Sequence, residues 1–294
     1  MTGAAGQQRV PEEFVRDYRI HVGDTRQQRD IADYLDRETL QIDELIAAKQ
    51  RLLNLLAEKR RVLITHAVTR GIDRTVLPRD SEVPWLGSIA AAWPTRKIAR
   101  LFREIDERDQ PDLPLLEVSL NKGVIRREFS DERIETTAAD FNTYKVARRG
   151  DIVFNKMRMW QGAVGVAPEE GLVSPDYVVA RPNVEIRADY AGLLFRTEVF
   201  SAECGSRSHG IVWDRLRLYW EGFREIEIPL PSLQEQRAIV EYIGTETAKL
   251  DPLRAATERS IALLRERRAA LIAAAVTGQI DVTTRDEGGI SDHH

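Results

Sequence analysis

The chain carries one stretch of sequence twice. Residues 28–73 (QRDIADYLDRETLQIDELIAAKQRLLNLLAEKRRVLITHAVTRGID) return as residues 236–281 (QRAIVEYIGTETAKLDPLRAATERSIALLRERRAALIAAAVTGQID), without a gap and with roughly half the positions identical. Gln28/Gln236, Arg29/Arg237, Ile31/Ile239, Tyr34/Tyr242, Asp43/Asp251, Arg51/Arg259, Leu63/Leu271 and Val68-Thr69/Val276-Thr277 all match. A repeat that tolerates no insertion has a spacing fixed by structure, and such a unit cannot bury its apolar face alone. The two copies flank one unrepeated block.

Each copy reads as a long helix. Leu35, Ile42, Lys49, Leu56 and Leu63 fall seven apart, Leu45 and Leu52 form a second set, and Ile31, Ile46 and Leu53 widen the stripe. The second copy keeps the series with Ile243, Leu250, Leu264 and Leu271, places Thr257 in the Lys49 slot, and adds Leu253 and Ile261. This is one narrow apolar seam on a helix on the order of 60 Å long. The two helices are therefore expected to pack on each other as an antiparallel coiled-coil-like pair, with Glu58–Arg61 and Arg265–Arg268 on solvated flanks. Asp24 is the expected cap of the first helix and Gly71 its stop. Ser232 and Glu235 have capping-box spacing ahead of the second. Asp251-Pro252 looks like a cap followed by a first-turn proline, so a break or kink is expected there. Glu44 stands at the matching place in the first copy, which is expected to run straight.

Between the helices the texture changes to short apolar runs with glycine, proline and aromatics. Leu115–Ser119, Asp151–Phe154, Ala163–Ala167, Tyr177–Ala180 and Ile226–Pro229 read as strands bounded by turns such as Arg149-Gly150-Asp151, Glu170-Gly171 and Arg181-Pro182-Asn183. Trp85–Leu101 and Tyr190–Phe200 read as helical or mixed. The expected class is α+β: one compact mixed α/β domain at 75–231, flanked by helical regions at 26–74 and 232–283, with poorly ordered ends at 1–25 and 284–294.

With 43% hydrophobic and 31% charged residues, composition places the chain among soluble proteins. A formal charge of −4 is unlike a freestanding nucleic-acid binder but leaves room for a local basic groove or a partner that supplies positive charge. Cys204 is the sole cysteine, which excludes an intrachain disulfide and a CxxC metal site and fits a reducing, cytoplasmic setting. No signal peptide and no membrane-length apolar run is seen.

Motifs for catalysis are missing. There is no phosphate-binding GxxxxGK[ST] loop, no dinucleotide glycine loop after a strand, no Asn/Asp-Pro-Pro-aromatic methyltransferase signature and no histidine cluster. Ser206–Gly210 reads as a polar loop rather than a nucleophile–base pair. Pro111-Asp112 and Glu117-Val118-Ser119 lack the lysine that would complete a nuclease carboxylate site. The pattern points to a binding subunit.

Specific motifs carry a family resemblance. Leu230-Pro231-Ser232-Leu233, Glu235-Gln236-Arg237, Ile243…Thr247…Leu250-Asp251 and Ala275–Gln279 resemble the conserved helical region of the specificity (S) subunit of type I restriction–modification systems. Ile31–Asp36 through Thr65–Gly71 is similar to the central copy of that region. Pro84–Gly87 with Trp93 is similar to the opening of a target recognition domain, Gly150–Ala163 with Ser174–Tyr177 to its inner core, and Leu216–Trp220 to its closing segment. The resemblance covers residues 26–281.

It implies a non-catalytic subunit that reads double-stranded DNA and directs methyltransferase (M) and restriction (R) subunits, which use S-adenosylmethionine, ATP and Mg; this chain itself takes no cofactor. The paired helices would act as a ruler between half-sites. The usual order is domain, helix, domain, helix. Here the first recognition domain is missing, and Ile20–Asp24 stands where its last strand and turn are expected. Two readings follow: a one-domain subunit that reads a half-site, alone, as a homodimer or paired with another S chain, or a truncated assembly protein that sequesters methyltransferases.

Base edges would be met by polar and cationic side chains in the major groove, with cations on phosphates. Asn121, Lys122, Arg126 and Arg127, expected together on a turn between strands, and Ser206, Arg207, Ser208, His209 and Arg215 are the candidates for base readout. Asn155, Lys156, Arg158 and Gln161, just past a strand, are the candidates for backbone contact.

Overall fold

The structure is a computed structural model that describes residues 10–17, 23–73, 75–127, 141–210, 216–280 and 282. The expected tail at 284–294 and most of the expected N-terminal segment lie outside these residues. In chain order the elements are α1 (Glu12–Asp17), α2 (Thr25–Arg70), β1 (Pro78–Asp80), β2 (Ser88–Ala90), β3 (Thr95–Lys97), α3 (Ile98–Leu101), β4 (Phe102–Ile105), β5 (Leu116–Ser119) and β6 (Gly123–Arg126). There follow β7 (Lys145–Ala147), β8 (Ile152–Asn155), β9 (Val164–Val166), β10 (Gly171–Val173), β11 (Tyr177–Pro182), α4 (Ala188–Phe195), α5 (Glu198–Ser206), α6 (Trp220–Arg224), β12 (Glu227–Pro229) and α7 (Leu233–Val276). The chain forms two compact units, Met1–Leu56 with Pro252–His294, and Ala57–Asp251.

The ends of the long helices follow from their caps. Asp24 Oδ1 accepts the Arg26 and Gln27 amides at 2.9 and 2.8 Å. Gly71 stops α2 at φ 85°, a conformation a side chain would strain. Ser232 Oγ accepts the Glu235 amide while Glu235 Oε2 takes the Ser232 amide at 2.9 Å, the reciprocal capping box. Helix α7 is not broken at Asp251-Pro252, since Pro252 lies inside it.

In the first unit, α2 and α7 pack along a seam that buries Tyr34, Ile42, Thr257, Ile261 and Ala275. Leu45, Leu52 and Leu253, expected to broaden that seam, are 46%, 44% and 56% exposed and stand off it. Arg268 Nε meets Asp43 at 2.9 Å. In the second unit Arg60 meets Asp251 at 2.6 Å. Asp43 and Asp251 are equivalent positions of the repeat, and so are Arg60 and Arg268. One interaction is therefore made twice with the partners exchanged, as antiparallel pairing of two copies about an internal two-fold requires. Both pairs face water and contribute roughly 0.2–1 kcal/mol each, so they fix register more than stability.

The second unit is built on an antiparallel sheet in the order β4-β11-β8-β9. Val179 stands opposite Ile105 on one side and Val153 on the other. These three residues point to a small core with Leu116, Val124, Ala147, Ala167 and Val173. Their neighbours Phe102, Ile152, Phe154, Val178 and Ala180 point the other way, into the large core with α4, α5 and α6. A strand buried on both faces needs apolar residues in unbroken runs, and this is why IVF and VVA read as continuous rather than alternating. Phe195 and Phe200 stack at 4.7 Å, and Phe154 meets Phe223 at 4.6 Å. Arg181 joins β11 to the start of β8 by a two-point ion pair with buried Asp151 (2.8 and 2.9 Å), and this partner holds the guanidinium pKa above its ordinary value.

The near ends of both long helices belong to this unit. Ala67, Val68, Ile239 and Ile243 lie in the large core, and the Tyr190 hydroxyl donates to the Val68 carbonyl at 2.9 Å. Gln236 is fully buried. Its Oε1 accepts the Arg187 amide at 2.8 Å, and its Nε2 donates to the carbonyls of Glu185 and Pro231 at 3.1 and 2.9 Å. Its repeat-equivalent, Gln28, is exposed and bonds only the local Gly23 carbonyl among the recorded contacts. Among the described residues, no helix is long and apolar enough to cross a membrane.

All five tryptophans lie between residues 85 and 220, so their fluorescence reports on the second unit. Gln236→Ala strands one buried donor and two acceptors and is expected to cost about 3 kcal/mol in urea unfolding followed by that fluorescence. Gln28→Ala is expected to change it by less than ~0.5 kcal/mol. Equal effects would contradict the environments described here.

Candidate nucleic-acid interface

The structure sorts the candidate residues into two groups within the second unit. The first is the β5–β6 hairpin, whose register pairs Leu116 with Arg126 and Ser119 with Gly123. Its turn, Leu120–Lys122, exposes Asn121 and Lys122. Arg126 and Arg127 are exposed too, but not on that turn as expected. Arg126 ends β6 at the open end of the hairpin, about 10 Å from the tip at ~3.3 Å per residue. The Arg127 amide donates to the Leu115 carbonyl at 2.8 Å, extending the ladder by one step. From Leu115 to Arg127 the segment carries three cations and one carboxylate, Glu117.

The second group gathers around the single turn of 3-10 helix at Met159–Gln161, which packs on α5. The Leu218 amide donates to the Lys156 carbonyl at 2.9 Å, and His209 and Arg217 exchange backbone bonds at 3.0 and 2.9 Å, so 156–161 and 206–209 share one region. Many of these side chains are already occupied. Asn155 Oδ1 accepts the Met157 amide at 2.9 Å, Arg158 Nε donates to Gln161 Oε1 at 2.9 Å, and Lys156 Nζ lies 3.5 Å from the Pro175 carbonyl. Arg207 pairs with Glu203, and the Ser206 and Ser208 hydroxyls cap carbonyls of α5. His209 is exposed. Arg215 lies outside the described residues. The 155–161 segment is therefore braced by its own bonds, which suits a rigid platform for phosphate contact, and Arg207 would have to leave Glu203 to reach a base.

The hairpin is held tightly on the sheet. Gly165 of β9 lies so close that a Cβ there would meet Val124 N at 2.6 Å and Gly123 Cα at 2.8 Å. Arg196, just beyond α4, donates to the Leu120 and Asn121 carbonyls at 2.9 and 2.7 Å. Neither residue is marked by a motif: Gly165 reads as an ordinary strand residue and Arg196 as one of many surface cations. A glycine within the apolar strand run Ala163–Ala167 was the available signal for a close backbone approach.

Gly165→Ala is expected to cost about 2–3 kcal/mol, because the clash is with backbone that cannot rotate away. Gly244→Ala, in open space within α7, is expected to stabilise by ~1 kcal/mol. Urea unfolding and amide exchange at Gly123–Arg126 check both; an unperturbed Gly165→Ala hairpin would refute the tight approach.

Comparisons with known proteins agree with this architecture. The family described as type I restriction modification DNA specificity domain matches residues 78–252, more than half of the chain. The type I restriction enzyme StySPI specificity subunit of Salmonella potsdam is 29% identical over 114 residues, which are 39% of this chain and 24% of that protein. A chain solved in work on complex assembly and conformational transition of the type I R-M system superposes with a TM-score of 0.51 at 16% identity, over 84% of this chain and 60% of its own. The HsdS subunit from Thermoanaerobacter tengcongensis superposes with a TM-score of 0.49 at 18% identity, over 95% of this chain and 65% of its own. The chain thus spans less than two thirds of the length of these relatives. On the family match across 78–252, which falls on the second compact unit and its hairpin, the chain belongs to the type I restriction–modification specificity (S) subunit family and carries one target recognition domain.

Proposed function

We propose that this chain is a DNA-reading subunit that recognises a half-site in double-stranded DNA and directs partner methyltransferase subunits, and restriction subunits where present, to it. It acts in the cytoplasm, without a cofactor and without catalysis of its own. The observation that carries the reading is the cation-bearing β5–β6 hairpin, projecting from a recognition domain whose residues match the DNA specificity family. Rigid backbone beneath exposed cationic and amide side chains is what base readout in a groove requires.

The roles divide by position. Asn121 and Lys122 at the tip are suited to base edges; Arg126 and Arg127 to phosphates further along the same strand pair. Lys156, Arg158 and Gln161, braced on α5, are suited to backbone contact, with Ser206–His209 beside them. A net charge of −4 means that much of the counterion release would come from the methyltransferase partners, so DNA is held jointly. The seam of α2 and α7 sets the distance over which such a complex reaches.

In a salt-controlled titration of the assembled methyltransferase complex, replacing Lys122, Arg126 and Arg127 together by Ala is expected to weaken binding. The slope of log K against log salt should become shallower by about 2–3, near ~0.9 for each lost phosphate contact. An unchanged slope and affinity would remove the hairpin from the interface.

A further inference from the structure

The tip of the β5–β6 hairpin is held by a residue distant in sequence. Leu120 and Asn121 lie in the turn, where the β5–β6 ladder ends and their carbonyls have no strand partner within the hairpin. Arg196 supplies one through Nη2, at 2.9 and 2.7 Å. Its Nη1 lies 2.8 Å from where a Gly123 Cβ would be, so Gly123, at φ 76°, is needed both for the turn and for the guanidinium to slide beneath it. Arg196 is half-buried, and no ion pair with it is recorded among the described residues. Its positive charge thus stands under the tip facing carbonyl dipoles instead of a carboxylate.

The strands of the hairpin have separate supports: their ladder, the close approach of Gly165, and the small core beneath Leu116 and Val124. Loss of Arg196 would release the tip and leave the strands in place. A tip already in its bound conformation does not have to be ordered on binding, and it presents Asn121 and Lys122 at a fixed height and angle.

We propose that Arg196 is a positioning residue for sequence discrimination: by holding the Leu120 and Asn121 carbonyls it presets the Asn121–Lys122 tip against the base edges without touching DNA itself. The proposal rests on the DNA-reading function above. It makes specificity depend on a residue that sits outside every segment the sequence marks as polar or loop-forming.

The test uses the full chain assembled with a methyltransferase subunit. The probe is a library of short DNA duplexes with a randomised centre. Arg196→Ala, Arg196→Lys and, as a charge control, the exposed Arg100→Ala are compared with the unmodified chain. Arg196→Ala is expected to bind the unselected pool as well as Arg100→Ala does, yet to lose about tenfold in enrichment of the preferred sequence, the scale of one lost base contact. Amide exchange at Asn121–Gly123 should accelerate, and Arg196→Lys should recover part of the enrichment. Undiminished enrichment in Arg196→Ala overturns the proposal alone. Enrichment that falls only in step with pool binding or with unfolding midpoint also overturns it, since that is the mark of charge or stability. An unmodified complex that enriches nothing overturns the DNA-reading function, and this proposal with it.

Discussion

A buried amide fixes where the recognition domain meets its helix. Gln236 enters the domain from the first turns of α7 and satisfies the Arg187 amide and the carbonyls of Glu185 and Pro231. Those backbone groups, shut away from water, would otherwise carry the full penalty of an unmade bond. The capping box at Ser232 and Glu235 starts the helix at the right residue for this, and Glu235 also accepts the Trp93 indole N–H at 3.0 Å. Burial raises the Glu235 carboxyl pKa, but the bonds from Trp93 and Ser232 outweigh it and leave the group below its ordinary value. The direction in which the domain leaves the helix is thereby set by side chains with few alternatives.

From that anchor the route to the DNA-reading hairpin is short and stiff. The large core carries β8 and β11, β9 continues the sheet, and Gly165 of β9 leaves no space for the hairpin to move inward. Arg196 then holds the tip. Variation in the exposed turn residues costs little stability, because the supports lie beneath them. A recognition domain needs this division, with a constant frame and side chains free to change.

Parts of this were legible in the sequence for physical reasons. The gap-free repeat and seven-residue spacing gave both long helices and their antiparallel pairing, and cap chemistry gave their ends within a residue or two. The buried strands β8 and β11 announced themselves as apolar runs. Strands β1, β3, β6, β7 and β10 did not: they are only three or four residues long, and their pairing partners, such as Thr95 with Pro229, lie far away in sequence. Pro252 was misleading because a proline inside a helix removes one donor, and in a helix this long the surrounding turns still hold. The repeat also hides a difference, since identical residues sit in different settings. Gln28 and Gln236 differ in burial because only the second has a domain described against it. For the site, residue type marked the exposed cations but not their neighbours. That Arg207 is occupied by Glu203, and that Arg196 matters through carbonyls, depends on tertiary approach.

The central claim, that one recognition domain lets this chain direct methylation to a defined sequence, is tested most directly by co-expressing it with a methyltransferase subunit of its system and mapping N6-methyladenine across the host genome. The account predicts methylation confined to one motif, whose symmetry tells whether one or two recognition domains are used. A stable complex that methylates without sequence preference, or not at all, would contradict it and leave the chain as an assembly protein.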